Sequence, residues 1–345
     1  MKPFALRALD RVTLPSPVRT LTHFENGSAL WLKDDSRIHP IYGGNKCRKL
    51  VRLLVRASEQ QAKHVITFGA AGSHHVLATS LLAQACGFSA QAFVVAQPWS
   101  VHAERVLCAS VASGVDLHPS RSWKSAWRAC AGFMDSATSI VPPGGSSICG
   151  GLGYFDAALE LAAQIGRGEL PEPDVIVVAL GTTGTAAGLL AGIRYVGLKS
   201  KLVGVSVLNA SGQAWLTRRL ANGILRASGM AETAKYCPFS VDTAWVGRGY
   251  GFESEAGRDA LNRAAAFGLS LDPTYTAKAF AAAWALGEGR PPNNNVGRPP
   301  AMTSAPINIL YWHTLSAPCS LQSRAYGETP LLPQIQALLR PCPKC

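Results

Sequence analysis

Lys46 stands in a stretch, Tyr42-Gly43-Gly44-Asn45-Lys46-Cys47-Arg48-Lys49-Leu50, whose residue types suit covalent chemistry on an aldehyde. Two glycines let the backbone turn tightly or approach a ligand. Asn45 is a good helix N-cap, and Leu50, Leu53 and Leu54 follow at helical apolar spacing. Lys46 is thereby expected in the first helical turn, where the dipole disfavours positive charge. A lysine there releases its proton more readily, and Schiff-base formation needs the neutral amine. Spacing alone favours a simpler origin, a solvated basic helix start.

A second stretch, Gly181-Thr182-Thr183-Gly184-Thr185, follows the apolar run Asp174 to Leu180 and opens a helical pattern. Helix-start amides, hydroxyls and glycines make an anion cradle suited to a phosphate. No Gly-Lys-Ser/Thr ends it, and the dinucleotide glycine spacing is missing, so neither nucleotide motif applies. An ordinary strand-to-helix turn has the same composition. Together, a reactive lysine and a phosphate cradle point to pyridoxal phosphate, which offers an aldehyde to condense and a phosphate to hold.

The elements that must position these residues alternate. Strands are expected at 29–33, 64–68, 91–96, 115–118, 139–141, 174–180 and 202–207. Helices are expected at 73–86, 101–113, 154–165, 184–195 and from about Gln213. The unbroken apolar strand at 174–180 implies burial on both faces, hence a parallel sheet in an α/β fold. Gly144-Gly145 and Gly150-Gly151 are read as bracketing a loop, and 288–305, rich in proline, asparagine and glycine, as an exposed mobile loop.

At 345 residues, nearly half hydrophobic, the chain is globular and long enough for two domains. Its formal charge of +12 comes without a dense basic block, which argues against a nucleic-acid partner and for a field favouring small anions. Arg121, Lys124 and Arg128 with Trp123 and Trp127 read as an amphipathic helix, tryptophans inward. No apolar run is long enough to cross a bilayer and no signal-peptide core is visible; nine scattered cysteines suggest buried thiols in a reducing cytoplasm. Cys342 and Cys345 form a CxxC without a second pair, so no metal site is expected.

Several of these segments resemble the D-cysteine desulfhydrase and 1-aminocyclopropane-1-carboxylate (ACC) deaminase family. They are Lys33-Asp34-Asp35, Gly43 to Lys49, Gly72-Ser73-His74-His75, Pro143 to Ser147, the Thr182 loop, Gly249-Tyr250-Gly251 and Asp272 to Ala279. The resemblance implies fold type II, two doubly wound α/β domains with the cofactor in the cleft between them. It places 1–48 and 155–345 in a large domain, 49–154 in a small inserted one, and two such chains in a homodimer.

The resemblance also implies roles. Lys46 would carry the cofactor and move the substrate's α-proton. Lys49 would lie near the phosphate with Gly181, Thr182, Thr183, Gly184 and Thr185. Ser73 would hold the substrate carboxylate, and Tyr250 and Tyr275 would flank the substrate. His74 replaces the family's asparagine, whose partner is the cofactor's phenolic oxygen; an imidazole N–H would have to take that role. Thr276 stands where ACC deaminases have a glutamate against the pyridine nitrogen, and Thr314 is also available to the ring. The usual His-Thr-Gly-Gly reads His313-Thr314-Leu315-Ser316 here. The implied activity is β-elimination from D-cysteine or a similar small amino acid, giving pyruvate, ammonia and sulfide. ACC deamination is the alternative, and a cofactor-binding protein with little turnover the second.

Overall fold

The computed structural model describes residues 4–231, 237–290, 305–317 and 330–340. In chain order the strands and helices are β1 (Val18–His23), β2 (Ala29–Asp34), α1 (Gly44–Glu59), β3 (His64–Ala70), α2 (His74–Ala85), β4 (Ser89–Val95), β5 (Gln97–Pro98), α3 (Val101–Ala112), β6 (Asp116–Ser120), α4 (Trp123–Cys130), β7 (Thr138–Val141) and α5 (Ile148–Gly166). There follow β8 (Val175–Leu180), α6 (Gly184–Val196), β9 (Lys201–Ser206), α7 (Gln213–Ala227), β10 (Phe239–Asp242), α8 (Glu255–Ala265), α9 (Thr276–Gly287), β11 (Asn308–His313), α10 (Pro333–Gln336) and β12 (Leu339–Arg340).

These elements form two compact units. Unit 1 takes the described residues up to Thr13, Ile38–Gly145 and those from Ala317 onward; unit 2 takes Leu14–Arg37 and Ser146–Ser316. The boundaries fall elsewhere than the 48/49 and 154/155 positions expected from the resemblance. The reason is packing: α1, with Lys46, lies on α2 and on the Gly144 turn, so it belongs with unit 1. The expected loop at 288–305 lies almost wholly outside the described residues, as do Cys342 and Cys345.

Unit 2 carries a six-stranded sheet of order β1-β2-β11-β8-β9-β10, antiparallel only at the β1–β2 edge. Side chains alternate across it. Ile176, Val178, Leu180, Leu202, Leu310 and Trp312 pack with α5, α6 and α7, whereas Val177, Val203, Val205, Ile309 and Tyr311 pack with α8 and α9. This is a doubly wound layer, as the apolar run at β8 demanded.

The Lys33-Asp34-Asp35 motif serves this unit's interior. Buried Lys33 Nζ donates to Ser16 O, Ser16 Oγ and Gln164 Oε1 at 2.6–2.9 Å and pairs with Glu160 at 2.5 Å. Asp35 Oδ2 accepts from Tyr154 Oη (2.7 Å) and Trp312 Nε1 (2.8 Å). Each buried charge is thus compensated.

Gly150 and Gly151 lie inside α5, not in the loop expected of them. Here glycine serves close helix packing. A Cβ on Gly188 of α6 would come 2.3 Å from Gly151 O, and one on Gly151 would come 2.4 Å from Ile224 Cδ1.

Unit 1 holds a parallel four-stranded sheet, β6-β4-β3-β7, and a separate parallel pair, β12-β5. The tryptophans of α4 do not face the core: Trp123 is 45 % and Trp127 44 % exposed. The inward stripe is Ala126 and Cys130, packed on Ile66, Phe68 and Phe93. Small residues let α4 lie close to the sheet, and Trp127 covers the rim by stacking on Phe68, with ring centroids 4.0 Å apart. Cys47, Cys86, Cys108, Cys130 and Cys237 are buried free thiols, and burial pushes that of Cys86 up to about 11.

Candidate active site

In unit 1 the β3–α2 turn presents Ser73 at the N-cap of α2, where its Oγ accepts the His75 amide at 3.2 Å. As an acceptor there, the hydroxyl keeps its own hydrogen for donation. Glycine is required at two positions before Ser73. A Cβ on Gly69 would lie 2.9 Å from Ser73 Oγ, and one on Gly72 would lie 2.6 Å from Ala103 Cα. Gln97 Oε1 accepts the Gly72 amide at 3.0 Å, while the Gln97 amide donates to Leu338 O at 3.0 Å, so the tail strand braces this turn.

Lys46 is the third residue of α1, in its first turn as expected, although the N-cap is Gly43 and not Asn45. The N-cap Gly43 has no side chain to cap the helix start and the first turn holds no acidic residue, and the dipole there disfavours an ammonium. Lys49, one turn on, is only 2 % exposed and donates from Nζ to Gly144 O at 2.5 Å. Burial, and then the charge of Lys46, hold its pKa well below the usual lysine range. Its visible task is to fix the Gly144-Gly145 turn, where both glycines have positive φ (64° and 68°).

His75 is driven well below its ordinary pKa by burial and then by Lys46 and Lys49, so it is neutral. Thr67 gives its hydroxyl hydrogen to Val141 O (3.0 Å), so the 2.9 Å contact with His75 must use an Nε2–H of the histidine. His74 departs from the role expected of it. Its Nδ1 lies 2.5 Å from Tyr42 Oη and its Nε2 2.8 Å from His102 Nε2, so both ring nitrogens are engaged within unit 1. Nothing in the sequence marked His102.

Unit 2 carries Gly181 to Thr185, the stretch expected to cradle a phosphate, between β8 and α6. Thr183 has φ +68°, a left-handed conformation that is strained for a β-branched residue. Such strain collects at ligand-holding turns. Thr183 does not cap α6 with its side chain. Ser146 braces the loop, donating from Oγ to Thr182 Oγ1 at 2.8 Å and accepting the Gly184 amide at 3.1 Å. Gly181 O accepts from Gln213 Nε2 at 3.1 Å. A Cβ on Gly181 would come 2.9 Å from Tyr275 Cε1, so the loop abuts that tyrosine.

Tyr275 and Tyr250 meet edge to face with centroids 5.8 Å apart. Burial first raises both pKa values; the Tyr275 hydrogen bond partly offsets the rise at Tyr250, and Tyr250 reinforces the rise at Tyr275. Both therefore hold their protons at neutral pH. Two residues missed in the sequence support them. Asp272 accepts the amides of Thr274 and Tyr275 at Oδ1, and Lys278 Nζ donates to Val246 O (2.8 Å) and Gly249 O (3.1 Å), pinning the turn before Tyr250. Lys278 lies inside the Asp272-to-Ala279 run, two residues after Thr276, which was the available signal.

Thr276 also differs from expectation. Its hydroxyl donates to Asp272 Oδ2 and accepts the Asp272 amide, both at 2.7 Å. Its one hydrogen is therefore unavailable to a pyridine nitrogen. Tyr311 Oη donates to Thr276 O, so the 3.2 Å contact with His313 uses that histidine's Nδ1–H. Burial lowers the His313 pKa, against the pull of Asp34, Asp272 and Asp35. Thr314, buried directly after β11, remains beside it.

The sequence matches the family model "Pyridoxal-phosphate dependent enzyme" over residues 10–296. The chain belongs to that family. It is a pyridoxal-phosphate enzyme of fold type II, related to the ACC deaminases and D-cysteine desulfhydrases. It is 30 % identical over 287 residues to a putative ACC deaminase of Thermotoga maritima, covering 79 % of this chain and 89 % of that one. A D-cysteine desulfhydrase of Salmonella schwarzengrund is 29 % identical over 287 residues, covering 79 % and 86 %. The crystal structure of an ACC deaminase homologue superposes with a TM-score of 0.73 at 24 % identity, covering 98 % of this chain and all of that one.

The donor sets of this pyridoxal-phosphate enzyme fit its cofactor. Unit 1 offers an amine at an uncapped helix start, and unit 2 offers a strained loop whose glycines 181 and 184 leave no room for a Cβ. Among the described residues no three His, Cys, Asp or Glu side chains gather to hold a metal, and no helix is long and apolar enough to cross a membrane.

Proposed function

We propose that this enzyme eliminates a β-leaving group from a small amino acid, with D-cysteine or a close analogue as substrate and pyruvate, ammonia and sulfide as products. The observation that carries the choice is at Thr276. The residue where ACC deaminases would place a carboxylate against the pyridine nitrogen is a threonine, with its hydroxyl hydrogen committed to Asp272. That leaves a neutral hydroxyl, on Thr314, as the candidate ring contact. A neutral partner supports ring protonation much less than a carboxylate does. Departure of a thiolate asks little of the electron sink, whereas opening an unactivated cyclopropane asks more.

Bound pyridoxal phosphate supplies an electron sink for the carbon that carries the substrate's amino group. The protein's own residues do the rest. Lys46 Nζ would hold the cofactor's aldehyde and, as a free amine, would take the substrate's α-proton. Ser73 donates its hydroxyl hydrogen to the substrate carboxylate, aided by the positive end of α2. Gly181 to Thr185 would hold the phosphate at the start of α6, and Ser146 keeps that loop in shape. Tyr250 and Tyr275 flank the substrate with both hydroxyls protonated.

Two measurements test this reading. Borohydride reduction of the loaded protein should fix cofactor on Lys46 and leave Lys46→Ala unlabelled. D-cysteine, L-cysteine and ACC should then be assayed side by side for keto-acid and ammonia release. Faster release of 2-oxobutyrate from ACC than of pyruvate from either cysteine would replace elimination with deamination. Release from none of the three would leave a cofactor-binding protein.

A further inference from the structure

Of the twelve large apolar side chains exposed among the described residues, four lie within one short stretch of unit 1. They are Trp123, Trp127, Phe133 and Met134, each 42–45 % exposed. The stretch comprises α4, the 3-10 turn Ala131–Phe133 and the residue after it. Ala126 and Cys130 seat the helix on the sheet, so the outer faces of these rings take no part in that packing. Their inner faces are fixed: Trp127 stacks on Phe68, and Phe133 meets Phe93 edge to face at 5.5 Å and His118 at 4.7 Å. A capping box between Ser122 and Ser125 closes the helix start. The ridge is therefore ordered before anything touches it.

The charge along this ridge has one sign. Lys124 and Arg128 each follow a tryptophan by one position, so a cationic stripe runs beside the aromatic one at the same four-residue repeat, with Arg121 at its head. All three cations are exposed, and none makes a hydrogen bond or ion pair among the described residues. No Asp or Glu occurs from Leu117 to Met134. The acids that bracket the stretch have partners of their own. Asp116 lies 3.2 Å from His118 Nε2, and Asp135 accepts the Thr138 hydroxyl at 2.5 Å and the Ala137 amide at 2.9 Å.

We propose that this face docks on an anionic phospholipid surface. The tryptophans, Phe133 and Met134 enter the boundary between head groups and acyl chains, while Arg121, Lys124 and Arg128 reach the head-group phosphates. The chain's formal charge of +12 adds attraction from a distance. Charge complementarity selects this occupant. A neutral lipid would leave the cations unanswered, and a second copy would bring its own cations with no acid between positions 117 and 134 to meet them. A nucleic-acid strand is tracked by a basic groove, whereas a helix on the outside of a sheet presents a convex ridge. The proposal is independent of the reaction assigned to the cofactor site.

The test uses the full, cofactor-loaded chain with vesicles of phosphatidylcholine, alone or mixed with phosphatidylglycerol. In a flotation assay the wild type should rise with the mixed vesicles and stay behind with phosphatidylcholine alone, and added salt should release it. Lys124→Glu with Arg128→Glu changes only exposed side chains. It should lower the partition coefficient by about tenfold or more at an unchanged melting temperature. Mixed vesicles containing lipid brominated near the head-group end of its chains should quench the wild type's tryptophan fluorescence. Trp123→Phe with Trp127→Phe, which keeps an aromatic ring against Phe68, should still float but lose most of that quenching.

Failure of the wild type to float with the mixed vesicles would overturn the proposal. So would flotation that survives both charge reversals, or quenching that survives the loss of both tryptophans, since the lipid would then touch another face. If the charge reversals lower the melting temperature, the quenching of the tryptophan pair decides alone. Binding of single-stranded RNA that the reversals abolish, or a dimer that they split, without vesicle binding, would give the face to that partner and overturn the proposal.

Discussion

The Thr276 hydroxyl donates to Asp272 Oδ2 at 2.7 Å and accepts the Asp272 amide at the same distance, closing a ring at the start of α9. That ring also sets Tyr275, whose amide donates to the other carboxylate oxygen. Thr276→Val should therefore act on stability before chemistry. It strips the buried Asp272 amide of its acceptor and Oδ2 of a donor, at a cost of about 1–3 kcal/mol. The expected result is a lower melting temperature, with the ratio of D-cysteine to ACC turnover unchanged. A changed ratio at unchanged stability would return Thr276 to the cofactor ring.

Gly184→Val should damage the phosphate loop from within. A Cβ at that position would sit 2.6 Å from Ser146 Oγ and 2.9 Å from its Cα, so Ser146 must move and its two loop contacts go with it. Loss of one charge-assisted bond to the phosphate, worth about 1.5–3 kcal/mol, weakens cofactor affinity by roughly tenfold or more. Equilibrium dialysis of the cofactor and a melting curve should fall together. Unchanged affinity would place the phosphate elsewhere.

Lys278→Met should loosen Tyr250 without touching it. The variant keeps the side chain's length but withdraws the donor from Val246 O and Gly249 O, releasing the turn that carries Tyr250. We expect KM for the amino acid to rise by about tenfold and cofactor affinity to stay within a factor of about two. An unchanged KM would mean that the turn holds its shape unaided.

Stability should fall in mild acid, and His75 is a named cause. Burial and the two nearby lysines lower its folded-state pKa well below 6.5. Between that lowered value and 6.5 the unfolded chain binds a proton that the folded one does not. Stability therefore rises with pH up to about 6.5 and is lost on the way down. Melting temperatures measured from about pH 7 to about pH 5 should drop, and His75→Gln, which keeps a donor for Thr67, should flatten the slope. An unaltered slope would assign the acid sensitivity to other groups, His313 first.

The sequence showed clearly what depends on local pattern. The apolar run at β8, the glycines before Lys46 and the Gly181 to Thr185 turn each announce themselves within a few residues, because strand burial and helix starts are local demands. What it hid depends on partners far along the chain. Gly151 reads as a loop residue because its reason, the close approach of α6 and Ile224, lies well downstream. Trp123 and Trp127 read as inward because tryptophan is apolar, but α4 turns Ala126 and Cys130 to the sheet. Position alone pairs Thr276 and His74 with the cofactor, and only the geometry reveals Asp272 beside one and His102 beside the other.

The pairing of β12 with β5 sets an order on biosynthesis. Gln97 holds both the amide of Gly72 and, through its own amide, the carbonyl of Leu338. When Ser73 and Lys46 emerge from the ribosome, the strand that braces their unit is still unmade, and all of unit 2 up to Ser316 must be translated before it appears. Unit 2, made of Leu14–Arg37 and Ser146–Ser316, is fully translated before that strand and can close earlier from its own residues. A nascent chain stalled before Leu338 would thus carry the phosphate loop in finished form while the turn behind Ser73 still waited for its last support.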